Sequence, residues 1–208
     1  MRFGLLSDAH GNHAALRHAA SWLSDRVDDL IFAGDAFSDH RFSNETVTTL
    51  RELGATYVLG NHERSLLSPA GARARAAEHV EPDLLAWVAE RPSRAEVLGD
   101  RVRILVVHAS PWPPLDQYLS PSAASLGPAA DLDADVLVVG HAHQPFATQM
   151  GTTLVVNPGS VGRADAPGLG DLLTFAVLDT TGSGDGRPAV THYAFVGPDG
   201  EISRLDER

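Results

Sequence analysis

Short apolar runs separated by polar turns recur along the chain and predict a series of buried strands. The last two runs lie on either side of a glycine-containing segment, 179–188, and predict an antiparallel pair turned through Gly182, Gly184 and Gly186. The predicted strands are residues 3–6, 30–33, 57–59, 101–107, 136–139, 152–156, 172–178 and 189–196.

Apolar residues at helical spacing lie between several of these strands and predict helices. The first helix follows Asn12, a side chain suited to the N-cap, and residues 64–92 are predicted to be helical with Pro82 opening a second helix there. The apolar faces carry Leu16, Ala20, Leu23 and Val27 in the first helix and Val47, Leu50 and Leu53 in the second. Strands that alternate with helices predict an α/β protein.

Length and composition narrow the class of protein further. With 208 residues, 43% of them hydrophobic, the chain can bury one substantial core, and we expect a single domain over residues 1–208. The start is interrupted too early by Asp8 and His10 to resemble a signal peptide, and no run approaches the roughly 20 apolar residues of a membrane span. The absence of cysteine suits a reducing compartment, so we expect a cytoplasmic protein without thiolate ligands.

The charge balance limits the choice of partners. Sixteen basic and 27 acidic residues give a formal net charge of −11, which argues against sequence-independent binding to a nucleic-acid backbone. A small phosphorylated substrate remains compatible with this charge, because divalent cations in a pocket reverse the local field.

Five of the predicted strands end in side chains that bind metal ions. Open α/β sheets place their ligands at the carboxyl ends of the strands, so these side chains are expected to converge. One such side chain after a strand is common, because polar residues are frequent in turns. Five strands that end in this way in one chain indicate a metal site. The residues are Asp8, His10, Asp35, Asn61, His62, His108, His141 and His143.

The donor set indicates which metals the site would hold. Neutral imidazole together with carboxylate and amide oxygen suits manganese, iron, zinc or nickel. The number of donors exceeds what one ion needs, and a carboxylate such as Asp35 can bridge two ions. A pair of metals about 3.5–4 Å apart is a standard device for hydrolysis at phosphorus.

The sequence segments around these residues resemble a known family. The series SDAHGN, AGD, GNHE, VHAS and GHAH, followed by NPGSVG, spans residues 1–162 and is similar to the calcineurin-like metallophosphoesterases, in particular their small prokaryotic phosphodiesterase branch. The resemblance implies a sandwich of two mixed β-sheets flanked by helices, with a dinuclear metal site at the carboxyl ends of the strands.

The resemblance also implies how the donors divide between two divalent transition-metal ions, manganese foremost. The first ion takes Asp8, His10, Asp35 and His143, and the second takes Asp35, Asn61, His108 and His141. In the family, the histidine that corresponds to His62 is not a ligand but contacts the phosphate and assists the leaving oxygen. Our hypothesis is therefore in-line attack of a metal-bridging hydroxide on phosphorus, with His62 as the catalytic side chain.

Several residues near this pattern bear on the substrate. Asn12 and Arg163 are predicted to contact it, and two loops, 36–44 and 109–127, are expected to lie on the substrate side. The proline-rich loop 109–127 carries Trp112 and Tyr118, which either stack on a base or pack within the loop. The family's usual glycine after His108 is replaced by Ala109, which puts the close approach of backbone to substrate in doubt.

Three functions are compatible with the sequence. The first is a phosphodiesterase acting on a small phosphorylated substrate, such as a nucleotide. The second is a phosphomonoesterase or a dinucleoside polyphosphate hydrolase. The third is a non-catalytic metal-binding scaffold, because a retromer subunit of similar fold lacks the histidine that corresponds to His62. The presence of His62 and of every implied metal ligand favours an enzyme.

Overall fold

Two mixed β-sheets form the centre of the molecule. The computed structural model describes residues 1–182 and 187–207. The predicted strands are present with small shifts of their ends. The described strands are β1 (Arg2–Leu6), β2 (Asp29–Phe32), β3 (Thr56–Tyr57), β4 (Arg94–Gly99), β5 (Val102–Val107), β6 (Val136–Val138), β7 (Phe146–Met150), β8 (Thr153–Asn157), β9 (Leu172–Asp179), β10 (Ala189–Val196) and β11 (Ser203–Arg204).

Helices cover the outer side of one sheet. Asn12 caps the first of them as predicted, because its side chain accepts a hydrogen bond from the backbone N–H of Ala15 over 3.2 Å. No helix in the described part of the chain is long and apolar enough to cross a membrane. The helices are α1 (His13–Leu23), α2 (Asn44–Glu52), α3 (Asn61–Leu67), α4 (Ala72–Arg75), α5 (Pro82–Ala89) and α6 (Ala123–Leu126).

The sheet topology confirms the fold that the family resemblance implies. The first sheet has the order β11-β10-β9-β1-β2-β3, and the second has the order β4-β5-β6-β8-β7. Parallel neighbours β1, β2 and β3 lie in one sheet and parallel neighbours β5, β6 and β8 in the other, while their remaining partners run antiparallel. Both sheets therefore present a group of parallel carboxyl ends.

The apolar runs are continuous because the central strands are buried on both faces. Leu5 and Ile104 belong to the core between the two sheets, whereas their neighbours Leu6 and Leu105 face outward into separate cores. Leu6 packs with residues of the helices, and Leu105 packs with Leu119 of the loop 109–127. Alternate residues of one strand thus enter different cores, which requires apolar side chains at successive positions.

Two parts of the secondary structure differ from the sequence prediction. The edge strands β4 and β7 and the short β11 were not predicted, because edge strands leave one side to water and β4 (RAEVLG) mixes charged with apolar residues. The predicted helical segment 64–92 is broken into α3, a 3₁₀ turn at Pro69–Gly71, α4 and α5. The predicted turn residues Gly184 and Gly186 lie outside the described residues, whereas Gly182 lies within them.

Candidate metal centre at the strand ends

The carboxyl ends of parallel strands from both sheets meet at one edge of the sandwich. Asp8 and His10 follow β1, and Asp35 follows β2. Backbone hydrogen bonds join these ends: the N–H of Asp8 donates to Gly34 O over 3.0 Å and that of His10 to Asp35 O over 3.0 Å. In the second sheet, Gly140 N donates to the carbonyl of His108 over 2.8 Å. The strand-end residues are therefore held in a fixed arrangement by main-chain contacts.

Three overlapping groups of side chains within this arrangement could hold a metal ion. In each group the ligand atoms lie within 4.8 Å of one another. The first and third groups share no residue, and the second contains one member of each together with His62. The groups are Asp8, His10 and His143; His10, Asp35 and His62; and Asp35, His108 and His141.

The geometry of the first group fits a cation. The Nε2 atoms of His10 and His143 lie 2.9 Å apart, and Asp8 Oδ1 lies 3.3 Å from His143 Nε2 and 3.7 Å from His10 Nε2. Asp8 Oδ2 accepts from the backbone N–H of His141, whereas Oδ1 is buried and makes no hydrogen bond with any described residue. Three ligand atoms that approach one point, one of them without a hydrogen bond, match the donor set of a borderline cation.

The third group, which contains His108, has the same character. Nδ1 of His108 donates to the carbonyl of Ala33 over 2.7 Å, which in the neutral ring leaves the lone pair on Nε2. That Nε2 faces Asn61 Oδ1 at 3.0 Å and Asp35 Oδ2 at 3.2 Å. A nitrogen lone pair directed at two oxygen atoms needs a positive charge between them, either a proton or a metal ion.

His141 completes the third group and is covered by an aromatic ring. Its Nε2 is buried and without a hydrogen-bond partner among the described residues. The ring of Tyr118 stacks on it with centroids 3.9 Å apart and an interplanar angle of 25°. Tyr118 therefore packs against a candidate ligand, while Trp112 packs partly buried against the core beneath the loop 109–127.

Burial and neighbouring charges set the protonation of the candidate ligands His10 and Asp35. Burial lowers the pKa of His10 to about 4, although Asp8 and Asp35 oppose this shift, so the ring is neutral at pH 7. Burial raises the pKa of Asp35, but His108 and His62 outweigh it and lower the value to about 2. The neutral imidazole of His10 and the ionised carboxylate of Asp35 are the forms that bind a metal ion.

Two further histidines of the cluster, His108 and His143, differ from His10, because their pKa is raised. Burial lowers the pKa of His108, yet Asp35 outweighs it and raises the value to about 9. Burial also lowers the pKa of His143, but Asp8 and Asp165 outweigh it, so the pKa is raised. His141 has a lowered pKa because of burial and the neighbouring His108. The carboxylates of the cluster therefore attract positive charge to this point.

The backbone at the candidate ligands is strained. Non-glycine residues with positive φ are uncommon, and of the seven in the described part of the chain five are candidate ligands. Strain of this kind persists where the surrounding structure holds it, and it is concentrated at functional sites. The five are Asp8 (56°), His10 (48°), Asp35 (59°), His141 (66°) and His143 (54°).

Two glycines allow the strand ends to approach this closely. A Cβ atom on Gly140 would lie 2.0 Å from Ser7 Oγ and 2.7 Å from Asp8 Oδ2. A Cβ on Gly34, whose φ is +96°, would lie 2.6 Å from His108 Nδ1. Glycine is thus needed before His141 and before Asp35, because at both positions a strand end of the opposite sheet lies directly beside the backbone.

Glu63 is a residue whose role the sequence analysis missed. It is fully buried, and its carboxylate accepts hydrogen bonds from the backbone N–H groups of Asp35 (3.0 Å), Ala36 (2.7 Å) and Gly60 (2.6 Å). Burial and the nearby Asp35 raise its pKa, and the backbone bonds oppose that rise. The Gly-x-x-Glu spacing of GNHE is the sequence signal for its bond to Gly60, because it is the spacing of a capping box.

Two further carboxylates hold histidines of the centre and were also missed. Asp39 Oδ1 lies 2.5 Å from His62 Nδ1, and Asp165 Oδ1 lies 2.6 Å from His143 Nδ1. Nε2 of His62 then points to the cluster, 3.6 Å from Asp35 Oδ2. Both aspartates belong to irregular loops, where no periodic pattern marks them.

The two predicted substrate contacts are engaged within the protein. Asn12 accepts from Ala15 N as the helix cap and donates from Nδ2 to Gly162 O over 3.1 Å. Arg163 pairs with Asp165 over 3.1 Å between Nε and Oδ2. These contacts give both side chains a structural role, and contact with substrate stays a prediction for each.

Two mixed sheets with paired groups of carboxylates and imidazoles at their shared strand ends define a protein of the metallophosphoesterase class. The model of the calcineurin-like phosphoesterase superfamily domain matches residues 1–183, and the chain belongs to this superfamily. Comparison with curated protein sequences gives no significant match.

Solved structures of similar fold extend over nearly the whole chain. A metallophosphoesterase from Sphaerobacter thermophilus is 23% identical, with a TM-score of 0.70 over 91% of this chain and 86% of its own. A novel archaeal phosphodiesterase is 21% identical, with a TM-score of 0.58 over 91% and 98%. Vps29 from Entamoeba histolytica, complexed with Zn²⁺, is 18% identical, with a TM-score of 0.57 over 99% and 98%. At these identities the similarity establishes the fold.

Proposed function

We propose that this protein is a dinuclear metal-dependent phosphodiesterase that acts on a small phosphorylated substrate. The observation that carries the proposal is the pair of separate ligand groups at one edge of the sandwich with His62 beside both. In this proposal the first ion is held by Asp8, His10, Asp35 and His143, and the second by Asp35, Asn61, His108 and His141. We further propose that residues 1–208 act as one domain.

The donor set supports two divalent transition-metal ions, with manganese as the first choice and iron, zinc or nickel as alternatives. When bound, such a pair supplies Lewis-acid stabilisation of charge at phosphorus and a water-derived nucleophile. The membership in a phosphoesterase superfamily supports the reaction class, and the archaeal phosphodiesterase of similar fold supports a diester as substrate.

His62 is proposed to serve the leaving group. Asp39 Oδ1 accepts a hydrogen bond from Nδ1 of His62 and so holds the ring with Nε2 toward the cluster. The proton on Nε2 then faces the cluster and passes to the leaving oxygen as its bond to phosphorus breaks, while water supplies the new oxygen on phosphorus. The ring of His62 also packs against that of His10 in a T-shaped arrangement, with centroids 5.0 Å apart.

The test is hydrolysis of two chromogenic substrates by the purified protein with added Mn²⁺, with metal content measured in parallel. We expect nitrophenol release from bis-p-nitrophenyl phosphate to exceed release from p-nitrophenyl phosphate, and a chelator to abolish both. Faster release from the monoester would contradict the proposal and indicate a phosphomonoesterase. No release from either substrate, with two ions bound, would favour the metal-binding scaffold.

A further inference from the structure

A cavity of about 520 Å³ opens beside the candidate metal centre, on the side of His108. Arg64 of α3 and Arg94 at the start of β4 line it, together with Pro111 and Leu115 of the loop 109–127. Its volume lies in the range of small-molecule sites. His108 is also a lining residue, so the cavity lies next to a candidate metal ligand.

Arg64 is fixed at one end and keeps most of its donors for a ligand. Its Nη1 donates to the carbonyl of Leu59 over 3.2 Å, at the start of the turn that carries Asn61 and His62. Within residues 1–182 and 187–207 no carboxylate lies at ion-pair distance from it. A guanidinium presents five N–H donors in a planar fork, which matches the oxygens of a phosphate.

Arg94 adds a second positive charge to the lining of the cavity. It pairs in register with Val107, the residue before His108, and its side chain contacts Glu96 over 2.9 Å. That ion pair is exposed and therefore weak, so it competes little with a bound anion. Asp116 is the carboxylate among the described lining residues, which leaves the cavity with an excess of positive charge in a protein of net charge −11.

We propose that this cavity binds a second phosphate group, carried by the leaving portion of the substrate. The inference rests on the proposed function, because it takes the scissile phosphate to lie at the metal centre. Pro111 and Leu115 give the cavity an apolar wall, and Leu115 is 64% exposed without a ligand. The substrate class is then a phosphodiester whose leaving alcohol is itself a phosphorylated compound of nucleotide size.

The experiment measures calorimetric binding of two nucleotides that differ by one phosphate to the Mn²⁺-loaded protein. Adenosine 3′,5′-bisphosphate is expected to bind about tenfold more tightly than adenosine 5′-monophosphate, because a charge-assisted bidentate contact is added. Arg64→Gln is expected to bring the ratio of the two dissociation constants close to one. Arg73→Gln, the same change at an exposed position of α4, leaves that ratio as in the parent.

Two results would overturn the inference: equal dissociation constants for the two nucleotides in the parent protein, or an equal effect of Arg73→Gln. Asp116→Asn removes the opposing charge and is expected to raise the preference for the bisphosphate. Hydrolysis of bis-p-nitrophenyl phosphate is followed on the same samples. If the protein prefers the bisphosphate but does not hydrolyse the diester, the proposed phosphodiesterase activity is wrong and the second phosphate site stands. If it hydrolyses the diester but binds both nucleotides equally, only the second phosphate site is wrong.

Discussion

His62 is the side chain that the proposed mechanism uses at the leaving group. Its backbone N–H donates to Asp35 Oδ1 over 3.0 Å, so the first turn of α3 is tied to a candidate bridging ligand. Its ring lies between Asp35 and Asp39, with Nε2 toward the first and Nδ1 toward the second. The ring is thereby held at the centre without belonging to either of the two separate ligand groups.

We expect His62→Ala to lower kcat for bis-p-nitrophenyl phosphate by about 100-fold or more, because a positioned proton donor is lost. Asp39→Asn weakens the hydrogen bond that orients the ring, and we expect a loss of about tenfold. Steady-state kinetics with elemental analysis checks both, with the exposed Asp199→Asn as the matched control. A change of less than threefold in His62→Ala, at unchanged metal content, would contradict this role.

His141 and His143 are two residues apart in sequence but lie in different ligand groups. We expect His141→Ala and His143→Ala each to reduce the metal content from two ions to about one, and the double variant to hold close to none. Elemental analysis after gel filtration in Mn²⁺-containing buffer measures this. If both histidines served one ion, the double variant would keep the other ion and the division would be wrong.

The elements that carry the ligands are joined by Glu63 rather than by apolar packing alone. Glu63 lies in the first turn of α3 and accepts N–H groups from the loop after β2 as well as from its own helix start. The loop of Asp35 and the helix of Asn61 therefore move as one unit. Charge-assisted bonds of this kind are about twice as strong as neutral ones.

We expect Glu63→Gln to lower the free energy of unfolding by about 2 kcal/mol, because the amide places a donor against backbone donors in a buried position. Urea denaturation of the parent and the variant measures the difference. Glu78→Gln, at an exposed position, makes the same chemical change and should leave stability within about 0.5 kcal/mol. Equal stability of Glu63→Gln and the parent would show that the hydrogen bonds accepted by Glu63 do not stabilise the fold.

At the scale of the whole molecule, a hydrogen bond between β10 and β8 joins the two sheets near the metal centre. His192 of β10, in the first sheet, donates from Nε2 to the carbonyl of Asn157 at the end of β8, in the second sheet, over 2.8 Å. Asn157 in turn donates to Gly140 O over 2.8 Å. His192 thus supports the turn that carries His141, although it lies far from the ligands in sequence.

Burial lowers the pKa of His192 below its ordinary value of 6.5, so the unfolded chain binds this proton more readily than the folded one. Its contribution to stability is complete above about pH 6.5 and falls as the pH drops through the lower folded pKa. We therefore expect the stability advantage of the parent over His192→Gln, about 1 kcal/mol near neutral pH, to shrink toward acid pH.

Urea denaturation of both proteins between about pH 8 and about pH 5, with a chelator present, measures this difference. The chelator keeps metal release from contributing, and the titration of the other histidines cancels between parent and variant. A difference in unfolding free energy that is constant over this range would contradict the assignment of the proton linkage to His192.

Much of the fold could be predicted from the sequence, because buried strands and amphipathic helices impose local patterns. β1, β2, β5, β6 and β8 were located to within two residues at each end, since strands covered on both faces are continuously apolar. β4 and β7 were missed because edge strands carry a weaker pattern. The arrangement in two mixed sheets was implied by the family resemblance rather than by periodicity.

The sequence by itself determined which side chains follow the strands, and hence the candidate ligands, because chain order fixes what stands at each strand end. The tertiary structure decided their grouping: His141 and His143 separate only because the backbone at both positions adopts positive φ. It alone placed Asp39 beside His62 and put Arg64 and His108 in the lining of one cavity, since these pairs are 23 and 44 positions apart across loops without a repeating pattern. Local patterns encode elements, whereas contacts between loops depend on the packed sheets that bring them together.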